Sequence, residues 1–324
     1  MRAILCRRYG SPDVLTCEET EKPEAGDGQV LIAVRAASVN PLDWHTMRGE
    51  PYPFRLASGL GKPKERRVGA DVAGRVEAVG RSVTRLKPGD EVFGISRGAF
   101  AEYACTAEPN LAAKPAGLTF EQAAAVPVAG FTALQGLRDK GRVQPGQKVL
   151  INGAAGGVGT FAVQIAKVLG AEVTGVCGTR NVDLVRSIGA DHAVDYTRED
   201  FTASSRRYDV MLDCIGNRSL SSCRRILTRE GIYVAIGART GRWLAPVPRF
   251  LAMLVVSRFV SQRLAPMVAK VNAEDLGILR GYLDAGRITP VIDRRYGLAQ
   301  AAEAFRYLEA GHARGKVVLT IGGV

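Results

Sequence analysis

Histidine is scarce in this chain of 324 residues, which contains only His45, His192 and His312. The six cysteines are spread along the sequence, and no two of them form a Cys-x-x-Cys pair. The ligand spacing of a structural zinc lobe is therefore absent, and a chain of this length does not need a disulfide framework to stabilise its core. We expect no metal ion.

Long apolar stretches are missing as well. The longest apolar run, residues 250–256, is far shorter than the ~20 residues of a membrane-spanning helix. Residues 1–8 contain no apolar core of the length that a signal peptide has. These absences predict a cytoplasmic protein without an integral membrane segment.

Positive charge is in excess but is not concentrated. Lysine and arginine number 44 against 32 acidic residues, which gives a net charge of +12. Arginine pairs are scattered along the chain, and no basic block alternates with aromatic residues, so we expect no nucleic-acid partner. The charge favours an anionic cofactor instead.

Residues 243–271 combine many Leu, Val, Met and Phe residues with interspersed proline and arginine. This composition predicts a buried contact between subunits or the wall of an apolar pocket. Peripheral contact with a membrane surface through the same segment stays open as an alternative.

The first third of the chain has the pattern of short strands separated or interrupted by glycine. Strand patterns occur at 29–36, 68–80, 91–94 and 99–104. Many short strands of this kind indicate a small barrel or sandwich. Glycines inside the 68–80 pattern indicate β-bulges or a bent wall.

The pattern changes after about residue 119. Helical periodicity covers 120–137, and strands then alternate with helices as far as residue 236. The predicted strands are 148–152, 172–177, 193–195, 209–215 and 232–236, and the predicted helices are 158–169 and 181–188. Strands that are apolar on both faces and alternate with helices predict an α/β fold with a doubly wound parallel sheet.

A glycine-rich turn joins the first of these strands to the first helix. Residues 152–159 read Asn-Gly-Ala-Ala-Gly-Gly-Val-Gly, with Gly153, Gly156 and Gly159 spaced three apart. Glycine allows the backbone to approach a pyrophosphate closely, and the following helix N-terminus presents unpaired N–H groups to it. Because a strand precedes the turn and a helix follows it, the motif predicts dinucleotide binding.

The choice of dinucleotide depends on the residues after the second strand. A free ribose 2′-hydroxyl usually meets an Asp or Glu there, but this chain has Gly178, Thr179, Arg180 and Asn181. No carboxylate would then repel a 2′-phosphate, while Thr179 offers a hydroxyl and Arg180 a fixed positive charge. We therefore predict NADPH, with a solvated role for Arg180 as the alternative.

These motifs together resemble the medium-chain dehydrogenase/reductase superfamily, and in particular its zinc-independent quinone oxidoreductase branch. Besides the glycine-rich turn at 152–159, the resemblance rests on five further motifs. They are Ser-Val-Asn-Pro-Leu-Asp at 38–43, Gly-Ala-Asp-Val-Ala-Gly at 69–74, Phe-Ala-Glu-Tyr at 100–103, Gly-Phe-Thr-Ala at 130–133 and Arg-Gly-Lys-Val-Val-Leu at 314–319. It implies a GroES-like β-barrel catalytic domain over 1–122 and 288–324 and a Rossmann NADP-binding domain over 123–287. We also expect a homodimer.

The resemblance also implies the chemistry. The positions that match the catalytic zinc ligands of the alcohol dehydrogenases are Asn40, Ala70 and Ala129, none of which supplies a usual zinc ligand. Alcohol oxidation without a metal is then implausible, which leaves hydride transfer from NADPH to a quinone or an α,β-unsaturated carbonyl (enone or enal). The alternative is a non-catalytic NADPH-binding protein with a structural or sensing role.

By resemblance, the catalytic residues are Asn40, Asp43 and Tyr52. Asn40 either donates to the acceptor's carbonyl oxygen or holds the local turn, and Cys214 is either a cofactor contact or a small buried residue. The whole set of expected cofactor contacts is Asn40, Thr132, Gly153, Ala155, Gly156, Gly157, Val158, Thr179, Arg180, Tyr196, Cys214, Ile236, Gly237 and Lys316.

Overall fold

The computed structural model of the protein describes residues 1–237 and 247–322. The chain forms two compact units, of which the first comprises Met1–Phe131 and Lys270–Val324 and the second comprises Thr132–Ala269. The domain ends expected at 122 and 288 both lie inside the first unit. Residues 123–131 and 270–287, expected in the dinucleotide-binding domain, are therefore grouped with the first unit.

The described residues contain strands and helices in both units. The strands are β1 (Arg2–Cys6), β2 (Leu15–Glu19), β3 (Gln29–Val39), β4 (Asp71–Val79), β5 (Glu91–Ile95), β6 (Tyr103–Ala107), β7 (Leu111–Ala113), β8 (Lys148–Asn152), β9 (Glu172–Cys177), β10 (His192–Asp195), β11 (Tyr208–Asp213), β12 (Leu227–Ala235), β13 (Arg263–Pro266), β14 (Ile292–Gly297) and β15 (Lys316–Thr320). The α-helices are α1 (Pro41–Arg48), α2 (Arg55–Ser58), α3 (Phe120–Ala124), α4 (Pro127–Gln135), α5 (Gly157–Val168), α6 (Val182–Ser187), α7 (Leu220–Arg225), α8 (Val247–Val256), α9 (Ala273–Asp284) and α10 (Ala301–Glu309).

The long strand β3 organises the sheet of the first unit. It pairs with β4 along nearly its whole length, while its other edge pairs first with β6 and then with β15. β15 in turn pairs in parallel with β14, so the last strand of the chain lies inside a sheet built mainly from the first hundred residues. Val30, Ile32, Phe100 and Phe305 are among the fully buried side chains of the core beside it.

Glycine shapes this sheet as the sequence predicts. The β3–β4 register shifts twice, between Leu31 and Ile32 and between Val34 and Ala36, as β-bulges do. A Cβ on Gly74 in β4 would lie 2.3 Å from the carbonyl oxygen of Ala33. Only glycine therefore allows the two backbones to approach so closely at the bend.

The helix predicted over 120–137 is interrupted in the structure. α3 ends at Ala124 and α4 begins at Pro127, and a five-residue π-helical turn, Gly136–Lys140, follows α4. Proline lacks the N–H that an interior helical position needs, but it suits the first turn of a helix. A single helix over this range was therefore the wrong interpretation of the periodicity.

The described part of the second unit contains a parallel sheet of six strands in the order β10-β9-β8-β11-β12-β13. With β8 as its first strand, this is the 3-2-1-4-5-6 order of a doubly wound fold, as predicted. The direction of winding reverses between β8 and β11, which leaves a crevice at the carboxyl ends of these two strands. The predicted glycine-rich turn follows β8 at this point.

The apolar segment predicted at 243–271 is only partly described, because residues 243–246 lie outside the described residues. Its described part forms α8 and the edge strand β13. Neither α8 nor any other helix among residues 1–237 and 247–322 has the length and apolar character needed to cross a membrane.

Candidate functional site

The glycine-rich turn lies between the end of β8 and the start of α5. Gly153 has a φ of +87°, and a Cβ there would lie 2.8 Å from Ile215. A Cβ on Gly159 would lie 2.1 Å from the carbonyl oxygen of Gly153. Both positions therefore need glycine for the turn to fold, whether or not a ligand is bound.

Gly156 differs from these two glycines, because the described protein does not require it to be glycine. Its φ of −81° suits any residue, and a Cβ would meet only the carbonyl oxygen of Gly153, at 3.4 Å. The space above Gly156 is therefore open, at the point where the first-turn N–H groups of α5, from Gly157 onwards, lack intrahelical acceptors. An open cradle of N–H donors at a helix N-terminus fits a pyrophosphate.

Ala155 is buried in the turn, and Gly157 and Val158 are half-buried in the first turn of α5. The structure thus brings together all the cradle residues named from the sequence, namely Gly153, Ala155, Gly156, Gly157 and Val158. Their contact with a cofactor stays a prediction.

Asp213, at the end of β11, holds the residues around the cradle in place. Its Oδ1 accepts hydrogen bonds from Asn152 Nδ2 at 2.8 Å and from the backbone N–H of Gly216 at 2.8 Å. Its Oδ2 accepts from the Tyr233 hydroxyl at 2.6 Å and from Arg249 Nη2 at 3.2 Å. A fully buried carboxylate thereby joins β8, β11, β12 and α8 at the carboxyl edge of the sheet.

Cys214, Ile236 and Gly237 lie together beside this carboxylate. The backbone N–H groups of Ile236 and Gly237 both donate to the carbonyl oxygen of Asp213, and a Cβ on Gly237 would lie 2.0 Å from the carbonyl oxygen of Cys214. Burial, with the charge of Asp213 adding to it, raises the pKa of the Cys214 thiol above its ordinary value. Such a thiol remains protonated and packs as a small apolar residue.

The turn after β9 carries the residues predicted to select the dinucleotide. Thr179 and Arg180 are both exposed in a 3₁₀ turn, Thr179–Asn181. Tyr196 is 51% exposed and lies close to Gly178, where a Cβ would be 3.2 Å from its hydroxyl. The structure therefore places Tyr196 beside Gly178, the residue that precedes Thr179 and Arg180.

A carboxylate that the sequence interpretation overlooked lies in the same place. Asp195, at the end of β10, accepts a hydrogen bond from the Thr179 hydroxyl at 2.6 Å, although the turn itself contains no acid. Thr197 also donates to Asp195, and Arg198 Nε lies 3.4 Å from its Oδ2. The hydrogen bonds of Thr179 and Thr197, with the charge of Arg198, lower the pKa of Asp195, so this anion already has its partners.

The first unit contains a buried polar cluster centred on Asp71, which is fully buried at the start of β4. Asp71 Oδ2 accepts from the Ser38 hydroxyl at 2.5 Å, from Asn40 Nδ2 at 2.9 Å and from Lys316 Nζ at 3.3 Å. Its Oδ1 accepts from the backbone N–H of Val128 at 2.8 Å. One carboxylate thus joins β3, β4, α4 and β15.

Asn40 is 2% exposed and uses its whole side chain inside this cluster. One amide hydrogen goes to Asp71, the other goes to the carbonyl oxygen of Ser38 at 3.1 Å, and Oδ1 accepts from Lys316 Nζ at 2.5 Å. The sequence left two roles open for Asn40, donation to the acceptor's carbonyl oxygen and holding the local turn. This arrangement favours the second role. Lys316 is 3% exposed, and its ammonium group is directed into the cluster.

Asp43 caps the helix that starts beside the cluster. It is buried near the start of α1, where its Oδ2 accepts from the backbone N–H of Asn40 at 2.9 Å. Burial, with the negative charge of Asp71 adding to it, raises the pKa of Asp43 to about 7. Its protonation state therefore changes near neutral pH.

Tyr52 lies in the short helical segment after α1, and Thr132 lies in α4. Tyr52 is half-buried, and the guanidinium of Arg55 lies 4.6 Å from its ring centre and 4.4 Å from that of Tyr9. Arg55 Nε also donates to the carbonyl oxygen of Gly49 at 2.9 Å, which fixes the start of the loop. Thr132 is 9% exposed in α4.

The residues at the positions that match zinc ligands do not form a metal centre. Ala70 and Ala129 carry no donor, and Asn40 is occupied by the Asp71 cluster. Within the described ranges, no group of three or more His, Cys, Asp or Glu residues is arranged to hold a metal ion.

Three carboxylates, Asp71, Asp195 and Asp213, were not assigned a role from the sequence. Asp71 lies inside the motif at 69–74, and Asp213 directly follows the apolar residues 210–212 of its strand. An acidic residue within or next to a run of apolar residues was the signal that the sequence offered for both. For Asp195 the only signal in the sequence was its place at the end of a predicted strand.

The parallel sheet in its doubly wound order, with an open glycine cradle at the switch point, defines the second unit as a Rossmann-type dinucleotide-binding fold. Two family models match parts of the chain. Residues 26–116 match the alcohol dehydrogenase GroES-like domain, and residues 188–319 match the zinc-binding dehydrogenase domain.

Individual proteins match over nearly the whole chain. A quinone-oxidoreductase QR1, chloroplastic, of Triphysaria versicolor is 32% identical over 98% of both chains. An NADPH-dependent alkenal/one oxidoreductase, chloroplastic, of Arabidopsis thaliana is 36% identical over 98% of this chain and 79% of its own. The solved structure of the quinone oxidoreductase from Coxiella burnetii superposes with a TM-score of 0.87 at 32% identity, covering 99% of each chain. The chain therefore belongs to the zinc-independent branch of the medium-chain dehydrogenase/reductase superfamily.

Proposed function

We propose that the protein is an NADPH-dependent reductase of quinones or of α,β-unsaturated carbonyl compounds, that is, enones and enals. The observation that carries this proposal is the open cradle at Gly156, which fits a dinucleotide pyrophosphate and which the described protein leaves unfilled. The relatives named for quinone and for NADPH-dependent alkenal/one reduction give the acceptor class.

The adenosine end of the proposed site supports NADPH over NADH. Arg180 is exposed beside Thr179, and Arg198 lies next to Asp195 in the same region. The Asp195 carboxylate accepts from the Thr179 and Thr197 hydroxyls and lies 3.4 Å from Arg198. Arginine binds phosphate groups through charge-assisted hydrogen bonds, so Arg180 and Arg198 favour a 2′-phosphate at this end of the site.

When bound, NADPH supplies a hydride. A conjugated acceptor needs no metal, because conjugation spreads the charge that remains after a hydride reaches its carbon. The protein's part is then to hold both molecules in position and to exclude competing reactions. The acceptor's second hydrogen arrives as a proton, for which we propose solvent as the source.

The roles of the first unit's residues follow from their contacts. Lys316 and Asn40 are committed to Asp71, so we propose that they fix the turn before α1 rather than donate directly to an acceptor. Asp43 acts on the same turn through the backbone N–H of Asn40. Tyr52, which packs against Arg55, stays the candidate for contact with the acceptor.

The test follows NADPH absorbance with a panel of quinones, enones and saturated aldehydes, for the wild type and for Gly156→Ala. Turnover of the first two classes, with NADPH preferred over NADH, is expected. Tight NADPH binding without turnover of any acceptor would refute the proposal in favour of a non-catalytic NADPH-binding protein. Turnover that requires added zinc would refute the metal-free chemistry.

Location and assembly are separate proposals. We propose a homodimer in the cytoplasm, while noting that several relatives are named as chloroplastic. Light scattering of the purified protein gives its molar mass, and cell fractionation gives its compartment. A molar mass near 34.6 kDa, that of one chain, would refute the dimer.

A further inference from the structure

Arg249, near the start of α8, is bound to the turn that follows β11. Its Nη1 donates to the carbonyl oxygens of Gly216 at 3.3 Å and of Arg218 at 2.9 Å. Its Nη2 donates to Asp213 Oδ2 at 3.2 Å. The Arg249 side chain is 17% exposed, so water competes little for these bonds. One guanidinium group therefore holds the turn, residues 214–218, through three acceptors.

The 214–218 turn lies against the glycine cradle. Asn152, which directly precedes Gly153, donates from Nδ2 to Asn217 Oδ1 at 3.0 Å. The Ile215 side chain packs so closely on Gly153 that a Cβ there would lie 2.8 Å from it. β8 and β11 are neighbours in the parallel sheet, and the crevice lies at the carboxyl ends of these two strands. The turn after β11 therefore forms one wall of the crevice in which the cradle lies.

Two charged groups hold this wall from two sides. The backbone N–H groups of Ile215 and Gly216 donate to Asp213 Oδ1 at 3.2 Å and 2.8 Å. The carbonyl side of the turn is bound by Arg249 instead. A lysine at this position would keep a positive charge beside Asp213, but its compact ammonium group cannot reproduce the planar fork of arginine. The position of the turn therefore depends on the guanidinium group and not on positive charge alone.

We propose that Arg249 is a positioning residue for the dinucleotide, which acts by fixing the 214–218 turn against the cradle. The wall of the crevice is then in place before the cofactor arrives. A preformed site binds more tightly, because the ordering of the protein does not have to be offset at the moment of binding. The inference rests on the proposed function for the identity of the cofactor, whereas the order of the turn is a property of the protein alone.

The test compares the wild type with Arg249→Lys in two measurements. Fluorescence titration should show NADPH and NADH binding weakened by the same factor, about fivefold, because the loss lies at the cradle and not at the 2′-phosphate. Hydrogen exchange without cofactor should become faster at the backbone N–H groups of Ile215 and Gly216. The melting temperature should fall only slightly, because a positive charge remains beside Asp213.

Arg224→Lys is the matched control. It makes the same chemical change in the same unit, at a half-buried arginine whose Nε donates to Gln262 Oε1 at 2.9 Å. It should bind NADPH as the wild type does and leave exchange at residues 213–218 unchanged. Equal effects in the two variants would overturn the proposal.

Two further outcomes separate positioning from a purely structural role. A lower melting temperature in Arg249→Lys with unchanged dinucleotide binding would show that Arg249 only stabilises the fold, and this would overturn the proposal. A wild type that bound neither NADPH nor NADH would refute the proposed function. Exchange at residues 213–218 would then decide by itself whether Arg249 fixes the turn, and unchanged exchange in Arg249→Lys would show that it does not.

Discussion

Replacing Lys316 with methionine removes one buried positive charge and keeps a long, unbranched side chain. In the wild type, Lys316 Nζ lies 2.5 Å from Asn40 Oδ1 and 3.3 Å from Asp71 Oδ2. Lys316 is 3% exposed and Asp71 is 0% exposed, so water cannot replace the lost partner. Asp71 would remain as a buried anion without its counter-charge.

The structure sets the size of the effect. Breaking a buried ion pair by removing one partner lowers the free energy of unfolding by about 3–5 kcal/mol. Asp71 would keep its hydrogen bonds from Ser38, Asn40 and Val128, which places the expected loss near the lower value, about 3 kcal/mol. Neutralising both partners in Lys316→Met/Asp71→Asn should be less harmful than the single change, because no unpaired charge remains.

Tryptophan fluorescence can report on the first unit alone. The chain has two tryptophans, Trp44 in α1 and Trp243. In a Trp243→Phe background, urea unfolding followed through Trp44 reports on the helix that starts beside the Asp71 cluster. Lys22→Met is the matched control, because Lys22 pairs with Glu77 on the exposed surface, where solvent already screens the charges. It should leave the urea midpoint nearly unchanged.

Two results would contradict this reasoning. If Lys316→Met had no larger effect than Lys22→Met, the Asp71–Lys316 pair would not stabilise the fold. If the losses for Lys316→Met and Asp71→Asn simply added up in the double variant, the two groups would not be coupled.

Three further predictions concern the cradle, the adenosine end and the helix cap. Gly156→Ala should weaken NADPH binding at least about tenfold and leave the melting temperature unchanged. Gly159→Ala should lower the melting temperature, because its Cβ would lie 2.1 Å from a carbonyl oxygen. Equal melting temperatures for the two variants would contradict this prediction. Arg180→Ala should weaken NADPH binding roughly tenfold and NADH binding hardly at all, as measured by fluorescence titration. Equal losses for the two cofactors would contradict the assignment of Arg180 to the 2′-phosphate. The pKa of about 7 at Asp43 exceeds the value near 4 of an unfolded chain, so the wild type should lose stability as pH rises from about 4 to 7. Asp43→Asn should remove that loss in melting curves against pH, and an unchanged slope would contradict the buried titration.

The cradle could be predicted from the sequence because its parts are neighbours in the chain. Gly153, Gly156 and Gly159 lie within seven residues, between a strand and a helix that each have a clear periodicity. Local patterns of this kind carry both the fold and the chemistry of the turn. The parallel sheet followed from strands that are apolar on both faces, for the same reason.

The Asp71 cluster could not be predicted in this way. Lys316 and Asp71 are separated by 245 residues, and no periodicity links them. The link between Asp195 and Thr179 depends on which strand lies next to β9, which the sequence pattern does not state. The break between α3 and α4 was marked by Pro127, but the apolar periodicity on both sides obscured it.

The position of β15 determines the order in which the chain can be completed during translation. β3 and β4 leave the ribosome long before Lys316, so the nascent chain must expose one edge of β3 and a carboxylate without its cation while the second unit is synthesised. The second unit, by contrast, is one uninterrupted stretch and can close as soon as its last strand emerges. The unit whose synthesis begins first is therefore the last to be completed. A chain that stalls before residue 316 should expose an unpaired sheet edge to chaperones and proteases.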